Sequence, residues 1–209
     1  MYITRVILKR SPSPDVIHGI LSAAFPEKRN DRVNENLWRI DRLGDCESLI
    51  IVSASSPHIH EIVSKIGINS ILRRVDERDD NSDKTIDYEP FLSRITFGQA
   101  WHFRLCANPV EHKKQSPTDK RGKIYALRTI GEQLEWLNKQ GDKYGFVPGT
   151  CYVIGDSWIT FDKVRIRAIT FDGMLTVTDA EAFRSALTHG IGRGKAYGCG
   201  LLTVARSQT

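Results

Sequence analysis

The same order of secondary-structure signals occurs twice in this 209-residue chain, on either side of one acidic segment. In the first half, YITRVILKR alternates like a half-buried strand, and SPSPDVIHGILSAAF reads as a helix opened by Ser13 and Pro14. Two strands follow in NLWRIDR and SLIIVSAS, then a short helix in PHIHEIVSKIG and a closing strand in SILRRV. The second half offers a strand in TFGQAWHFRLCANP, the basic loop VEHKKQSPTDKRGK and the helix TIGEQLEWLNKQG. Strand signals return near TCYVIG, KVRIRAITFDG and MLTVTD, followed by the helix DAEAFRSALTHG and the strand GLLTVA. Two βαββαβ units in tandem predict an α+β protein of two ferredoxin-like (RRM-like) domains, each an antiparallel sheet backed by helices.

The segment between them, VDERDDNSDKTIDYEP, holds seven acidic residues and almost no large apolar ones, which predicts an exposed linker. The expected boundaries are therefore 1–75 for the first domain, 76–94 for the linker and 95–209 for the second domain. Charge divides at the same place. Residues 1–94 carry 14 Lys/Arg against 15 Asp/Glu, whereas residues 95–209 carry 16 against 10. A cationic surplus confined to one half points to an anionic partner there, nucleic acid first, although a merely soluble basic surface accounts for the charge equally well. The four cysteines are widely spaced without a C-x-x-C, so neither a zinc site nor a disulfide framework is indicated. No run of 18 apolar residues occurs and MYITRVILKR lacks a signal-peptide pattern, so the expectation is a cytoplasmic protein with no membrane partner.

THGIGRGKAYGCGLL packs five of the 16 glycines into eleven residues, with Arg193 and Lys195 among them. Backbone N–H groups approach an anion closely where there is no Cβ, so the stretch reads as a phosphate-contacting loop. The nucleotide templates fail. A P-loop ending at Gly194-Lys195 needs glycine where His189 stands and a hydroxyl where Ala196 stands. A dinucleotide fingerprint starting at Gly190 or Gly192 needs glycine at Lys195 or Tyr197. Those cofactor loops also run from strand into helix, and this one leaves a helix for a strand. No cofactor is expected. What remains is a loop suited to a polynucleotide phosphate, or a helix C-cap and β-bulge that account for one or two of the glycines.

On the first helix, Val16, Ile17, Ile20, Leu21 and Ala24 fall within an arc of about 140° at about 100° per residue, which marks the core face. His18 lies outside that arc, with Asp15 and Ser22 on the same polar side and within reach. Histidine is the side chain that titrates near neutral pH, so His18 with a carboxylate and a hydroxyl nearby is an acid–base candidate. An exposed helical histidine is more often only a surface residue.

Three stretches together resemble a known family: GIGRGKAYGCGLLTVA, the F-R-L-x-A-N-P segment at Phe103–Pro109, and the first strand followed by a helix bearing His18 ahead of Phe25-Pro26. They resemble the CasE-type CRISPR repeat endoribonucleases of the RAMP superfamily. The resemblance implies tandem RRM-like domains and cleavage of precursor CRISPR RNA at the base of a repeat hairpin without metal. It implies a 2′,3′-cyclic phosphate and a 5′-OH as products, and a cleaved RNA that stays bound with other subunits of the Cascade complex. By position His18 corresponds to the catalytic histidine, and the glycines from Gly190 to Gly200 with Lys195 correspond to the loop near the RNA. Members of that family often carry a tyrosine three residues before the histidine, where this chain has Asp15. Asp15 then either orients His18 or raises its pKa, or marks a non-catalytic or weakly catalytic protein that chiefly holds an RNA hairpin. Lys28, Arg29 or Lys195 would supply the cation for the transition state.

For RNA affinity, Lys163, Arg165 and Arg167 put three cations on one face of a strand by their i, i+2, i+4 spacing. A hairpin there suits recognition of an RNA stem by shape and phosphates. Lys113 and Lys114, with Lys120, Arg121 and Lys123, form a second basic stretch that reads equally well as a solvated loop. Gly192, Arg193, Gly194 and Lys195 complete the expected RNA-contacting set.

Overall fold

The computed structural model describes residues 1–9, 12–25, 36–44, 46–68, 84–114, 116, 122–161 and 164–206. The chain divides into two compact units. One comprises Met1–Arg94 with Lys195–Gly198, the other Ile95–Gly194 with Cys199–Thr209.

The first unit runs β1 (Tyr2–Leu8), α1 (Pro14–Ala24), β2 (Leu37–Leu43), β3 (Cys46–Ser53), α2 (Ile59–Ile66), β4 (Lys84–Asp87) and the single turn α3 (Glu89–Leu92). Its antiparallel sheet has the order β2-β3-β1-β4. Alternation along β1 turns Val6 and Leu8 onto Ile17, Ile20 and Leu21 of α1 and Ile62 of α2, and Trp38 of β2 joins the same core. Val16 departs from the expected helix face: it is 43% exposed, at the edge of an arc that Ile17, Ile20, Leu21 and Ala24 fill.

The fourth strand is the larger correction. Lys84–Asp87 pairs antiparallel with β1 inside the segment expected to be linker, and Thr85 Oγ1 lies 3.0 Å from Thr4 Oγ1. An edge strand tolerates charge on both faces and is protected by it, so acidic composition there does not exclude pairing. The expected closing strand SILRRV lies outside the described residues.

The second unit runs β5 (Ala100–Ala107), β6 (Val110–Lys113), β7 (Lys123–Ala126), α4 (Ile130–Tyr144), β8 (Phe146–Phe161), β9 (Val164–Val177), α5 (Ala180–His189) and β10 (Leu202–Ala205). Its main sheet has the order β10-β5-β9-β8. In both units the strand after the second helix lies beside the first strand, which is the ferredoxin-like order, so the tandem α+β fold is as expected. Two readings change. The basic loop pairs at its two ends as the β6–β7 hairpin, from Val110↔Ala126 to Lys113↔Lys123. KVRIRAITFDG and MLTVTD form one strand, not two. Gly173 looks like punctuation in the sequence, but it marks a close approach: a Cβ there would overlap the Thr150 carbonyl oxygen, beside the β8 bulge between Pro148 and Cys151.

α4 begins with a capping box. The Glu132 N–H donates to Thr129 Oγ1 (3.3 Å) and the Thr129 N–H donates to Glu132 Oε2 (2.9 Å). Asp179 caps α5 by accepting from the N–H groups of Glu181 and Ala182. Among the described residues, no helix is long and apolar enough to cross a membrane. Replacing the α4 cap, Thr129→Ala, should destabilise the second unit by about 1 kcal/mol. That loss reads as a lower urea midpoint at unchanged slope, and an unmoved midpoint would remove the cap from the account.

Candidate nucleic-acid interface and acid–base helix

β5 covers β9 from Ile169 to Thr176, and before Ile169 strands β8 and β9 continue as a two-stranded ribbon. Register places Trp158 opposite Arg167 and Thr160 opposite Arg165. Asp156, Trp158 and Thr160 therefore share one ribbon face with the two arginines, and Ile166 turns to the other face, where it is buried. Arg165 and Arg167 do sit on one side, as their spacing requires, while Lys163 lies outside the described residues.

The two arginines have different environments. Arg167 grips Asp156 with both arms of its fork, Nε to Oδ1 at 2.8 Å and Nη2 to Oδ2 at 2.5 Å, and donates from Nη1 to the Leu127 carbonyl oxygen at 3.2 Å. The hydrogen bonds from Arg167 hold the Asp156 carboxyl below its ordinary value and raise the guanidinium in turn. Arg165 lies over the Trp158 ring, its Cζ 4.2 Å from the centroid, and remains exposed.

Leu127 links this ribbon to the second one. Its N–H donates to the Pro109 carbonyl (3.0 Å) at the foot of β6–β7, so Arg167 bonded to the Leu127 carbonyl sets the two ribbons side by side. Lys113 and Lys114 are both exposed on that hairpin. Lys113 pairs with Glu111 at 2.5 Å, which raises its pKa. Asn108, one residue before Pro109, forms a β-bridge with the exposed Arg193 of the glycine-rich loop. The two basic stretches and Arg193, separate in the sequence, thus lie on one connected backbone framework.

The five loop glycines, Gly190, Gly192, Gly194, Gly198 and Gly200, all have φ between 73° and 90°. Backbone conformation therefore accounts for the whole set, where a cap and a bulge were expected to account for one or two. Gly192 lies against Trp136, which stacks on Phe171, and Gly194 lies near Ile166 behind the ribbon. Lys195–Gly198 belong to the first unit, where the 3-10 turn Lys195–Tyr197 packs on α1 and β2. Gly198 is the tightest point: at φ 83°, a Cβ would stand 2.7 Å from the Trp38 ring.

α1 brings Asp15 and His18 to the same unit as Lys195. His18 is half-buried beside the core face, and Asp15 is exposed in the first turn. The Ser13 hydroxyl, then the Asp15 N–H, hold the Asp15 carboxyl below its ordinary value. Ser22 uses its hydroxyl on the His18 carbonyl (2.9 Å), which takes it out of the expected role beside the imidazole. Lys28 and Arg29 lie outside the described residues. Among the described residues, no three His, Cys, Asp or Glu side chains gather as a metal site would require.

Sequence reasoning missed Asp156, Trp158 and the Leu127 carbonyl. The signal for the first two was present: D-S-W-I-T alternates with the same period as R-I-R, and two such stretches around a short turn face each other.

This architecture is that of the CRISPR-associated protein family, whose model matches residues 1–206. The chain belongs to that family. It is 26% identical to the CRISPR system Cascade subunit CasE of Escherichia coli strain K12, over 98% of this chain and 99% of that one. It is also 26% identical to the CRISPR-associated endoribonuclease Cse3 of Thermus thermophilus, over 98% of this chain and all of that one. Among solved structures, Thermus thermophilus Cse3 bound to an RNA representing a pre-cleavage complex superposes with a TM-score of 0.74 at 24% identity, covering 98% of each chain. Cas6e of Escherichia coli K-12 superposes with a TM-score of 0.67 at 23% identity, covering 99% of this chain and all of that one.

Two outcomes test the framework. Gly198→Ala should cost roughly 1–3 kcal/mol of stability in the first unit, because the left-handed conformation and the Trp38 contact both oppose a Cβ; an unchanged melt would show that Trp38 yields. Asp156 has a depressed folded pKa, so its clamp is complete above the ordinary value of 3.8 and is lost as pH falls through the lower folded value. Melts of the parent and Asp156→Asn should therefore differ by a constant amount between about pH 5 and 8 and converge at lower pH. A gap that widens on acidification would contradict the clamp.

Proposed function

We propose that this protein is a metal-independent endoribonuclease that binds the CRISPR repeat hairpin of precursor RNA, cuts at its 3′ base and keeps the product within Cascade. The observation that carries the reading is the placement of α1, with His18, and the Lys195–Tyr197 turn in one compact unit. The names and full-length coverage of the CasE and Cse3 relatives support the substrate class. In the reaction a ribose 2′-oxygen attacks the adjacent phosphorus and loses its proton to a base. The P–O5′ bond breaks, and the 5′-oxygen takes a proton from an acid. His18 serves in this proton transfer, and Lys195 or Lys28 offsets the charge on the pentacovalent phosphorus. The products are a 2′,3′-cyclic phosphate and a 5′-OH. Asp15 acts on His18 as a positioning group.

Arg165, Arg193, Lys113, Lys114 and Lys163 take stem phosphates, with Gly192 and Gly194 bringing the loop backbone close and Arg167 holding the ribbon that presents them. The other subunits of Cascade are its protein partners, and the cytoplasm is its site of action. The alternative is a non-catalytic or weakly catalytic hairpin-binding subunit of the ribonucleoprotein complex, and the observation in its favour is that Ser13 engages the Asp15 carboxylate.

One gel separates the two. With a cognate repeat hairpin in EDTA under single-turnover conditions, the parent should give the cyclic-phosphate product. His18→Ala should slow cleavage by on the order of 100-fold or more while retaining tight binding. No product from the parent leaves the holder, and full cleavage by His18→Ala, or loss of parent cleavage in EDTA, overturns the mechanism.

A further inference from the structure

The chain has four tryptophans, and three of them are core residues: Trp38, Trp101 and Trp136 are 4%, 6% and 8% exposed. Trp158 is 50% exposed, on a ribbon that has left its sheet. A diagonal cross-strand Arg–Trp pair alone would steady the ribbon, and any long side chain at the Trp158 position would do that. What the pair adds is a large aromatic surface kept in water, fixed in orientation by a guanidinium 4.2 Å from its centre. The cation lies on the indole, so an arriving group meets a π surface and a positive charge together. A nucleobase with its phosphate has that combination of surfaces, whereas an aliphatic protein side chain uses only the first. The surroundings agree in sign: the half of the chain containing the ribbon has six more Lys/Arg than Asp/Glu, and exposed Lys113 and Lys114 lie on the neighbouring ribbon. Bases within a stem are covered by their neighbours on both faces, whereas an unpaired base can be splayed out to offer a free one.

We propose that Trp158, with Arg165 stacked on it, seats an unpaired nucleobase flanking the RNA stem. The seat sets which single-stranded flank the protein accepts. This rests on the endoribonuclease reading, and it adds a specificity determinant to the phosphate contacts already assigned.

The test uses the full chain with two RNAs: the repeat hairpin with its single-stranded flanks, and the stem-loop alone. Binding of the flanked RNA should quench the emission of Trp158, and the quench should vanish in Trp158→Phe. Trp158→Ala should weaken binding of the flanked RNA roughly 10-fold, within the range for one stacked base, and leave the stem-loop within about twofold. Trp158→Phe should recover most of that loss, because the π face is restored. Arg165→Lys, which keeps the charge but not the planar stack, should weaken the flanked RNA more than the stem-loop. Equal losses on both RNAs would make the pair a purely structural device and overturn the seat. So would unchanged affinity of Trp158→Ala, or a quench that survives in Trp158→Phe. A parent that cuts the hairpin without any quench overturns the seat and leaves the endoribonuclease reading intact; a parent that binds neither RNA overturns both.

Discussion

A two-stranded ribbon that runs past the edge of its sheet has lost the neighbour that would fix its twist, and Arg167 replaces that neighbour. Three hydrogen bonds leave one guanidinium, two to Asp156 across the ribbon and one to the Leu127 carbonyl. At a partly exposed site such bonds contribute little to global stability. Their consequence is geometric. A planar fork held at three points has few torsions left, so the ribbon's pitch, its distance from the β6–β7 hairpin and the direction of its outer face are set together. Arg165, Lys113 and Lys114 are set relative to one another through that side chain, and the Asn108 bridge ties Arg193 to the same framework.

Two arginines that look equivalent by spacing consequently do different work. Period-two alternation says which face a strand residue occupies and nothing about what stands opposite. The partner that converts Arg167 from a phosphate contact into a brace is Asp156, eleven residues away, and the register between the strands decides whether they meet. Their partners differ for the same reason of register: Arg167 reaches the carboxylate, and Arg165, two residues nearer the turn, meets Trp158.

The topology was legible because each half repeats a strict periodic order, and four of the five residues expected on the core face of α1 are buried. The errors came where composition and conformation point different ways. Acidic residues around Lys84–Asp87 indicate solvent, and an edge strand is half in solvent. Gly173 indicates a turn, and it is a strand residue whose missing Cβ admits the Thr150 carbonyl. The β6–β7 hairpin escaped notice for a related reason: its strands are four residues each and mostly exposed, so no apolar alternation announces them. The chemistry of the site was legible only in part, since His18 is half-buried as its helix position requires, but its hydroxyl neighbour Ser22 bonds the backbone instead.

The glycine-rich loop raised the question of an anion cradle, and its conformation moves the answer to the side chains. Every one of its five glycines has a positive φ. Conformation is thus a sufficient reason for the glycines, and a phosphate is not needed to explain them. The loop instead solves a routing problem. It must leave α5, place Lys195–Gly198 in the first unit and return to the second at Cys199, all within eleven residues. Reversals that sharp require left-handed backbone at nearly every second position, and side chains survive only between the turns. Arg193 and Lys195 are two of those survivors. Each is carried by a different unit: Arg193 joins the ribbon framework, and Lys195 lies in the unit that contains the helix of His18.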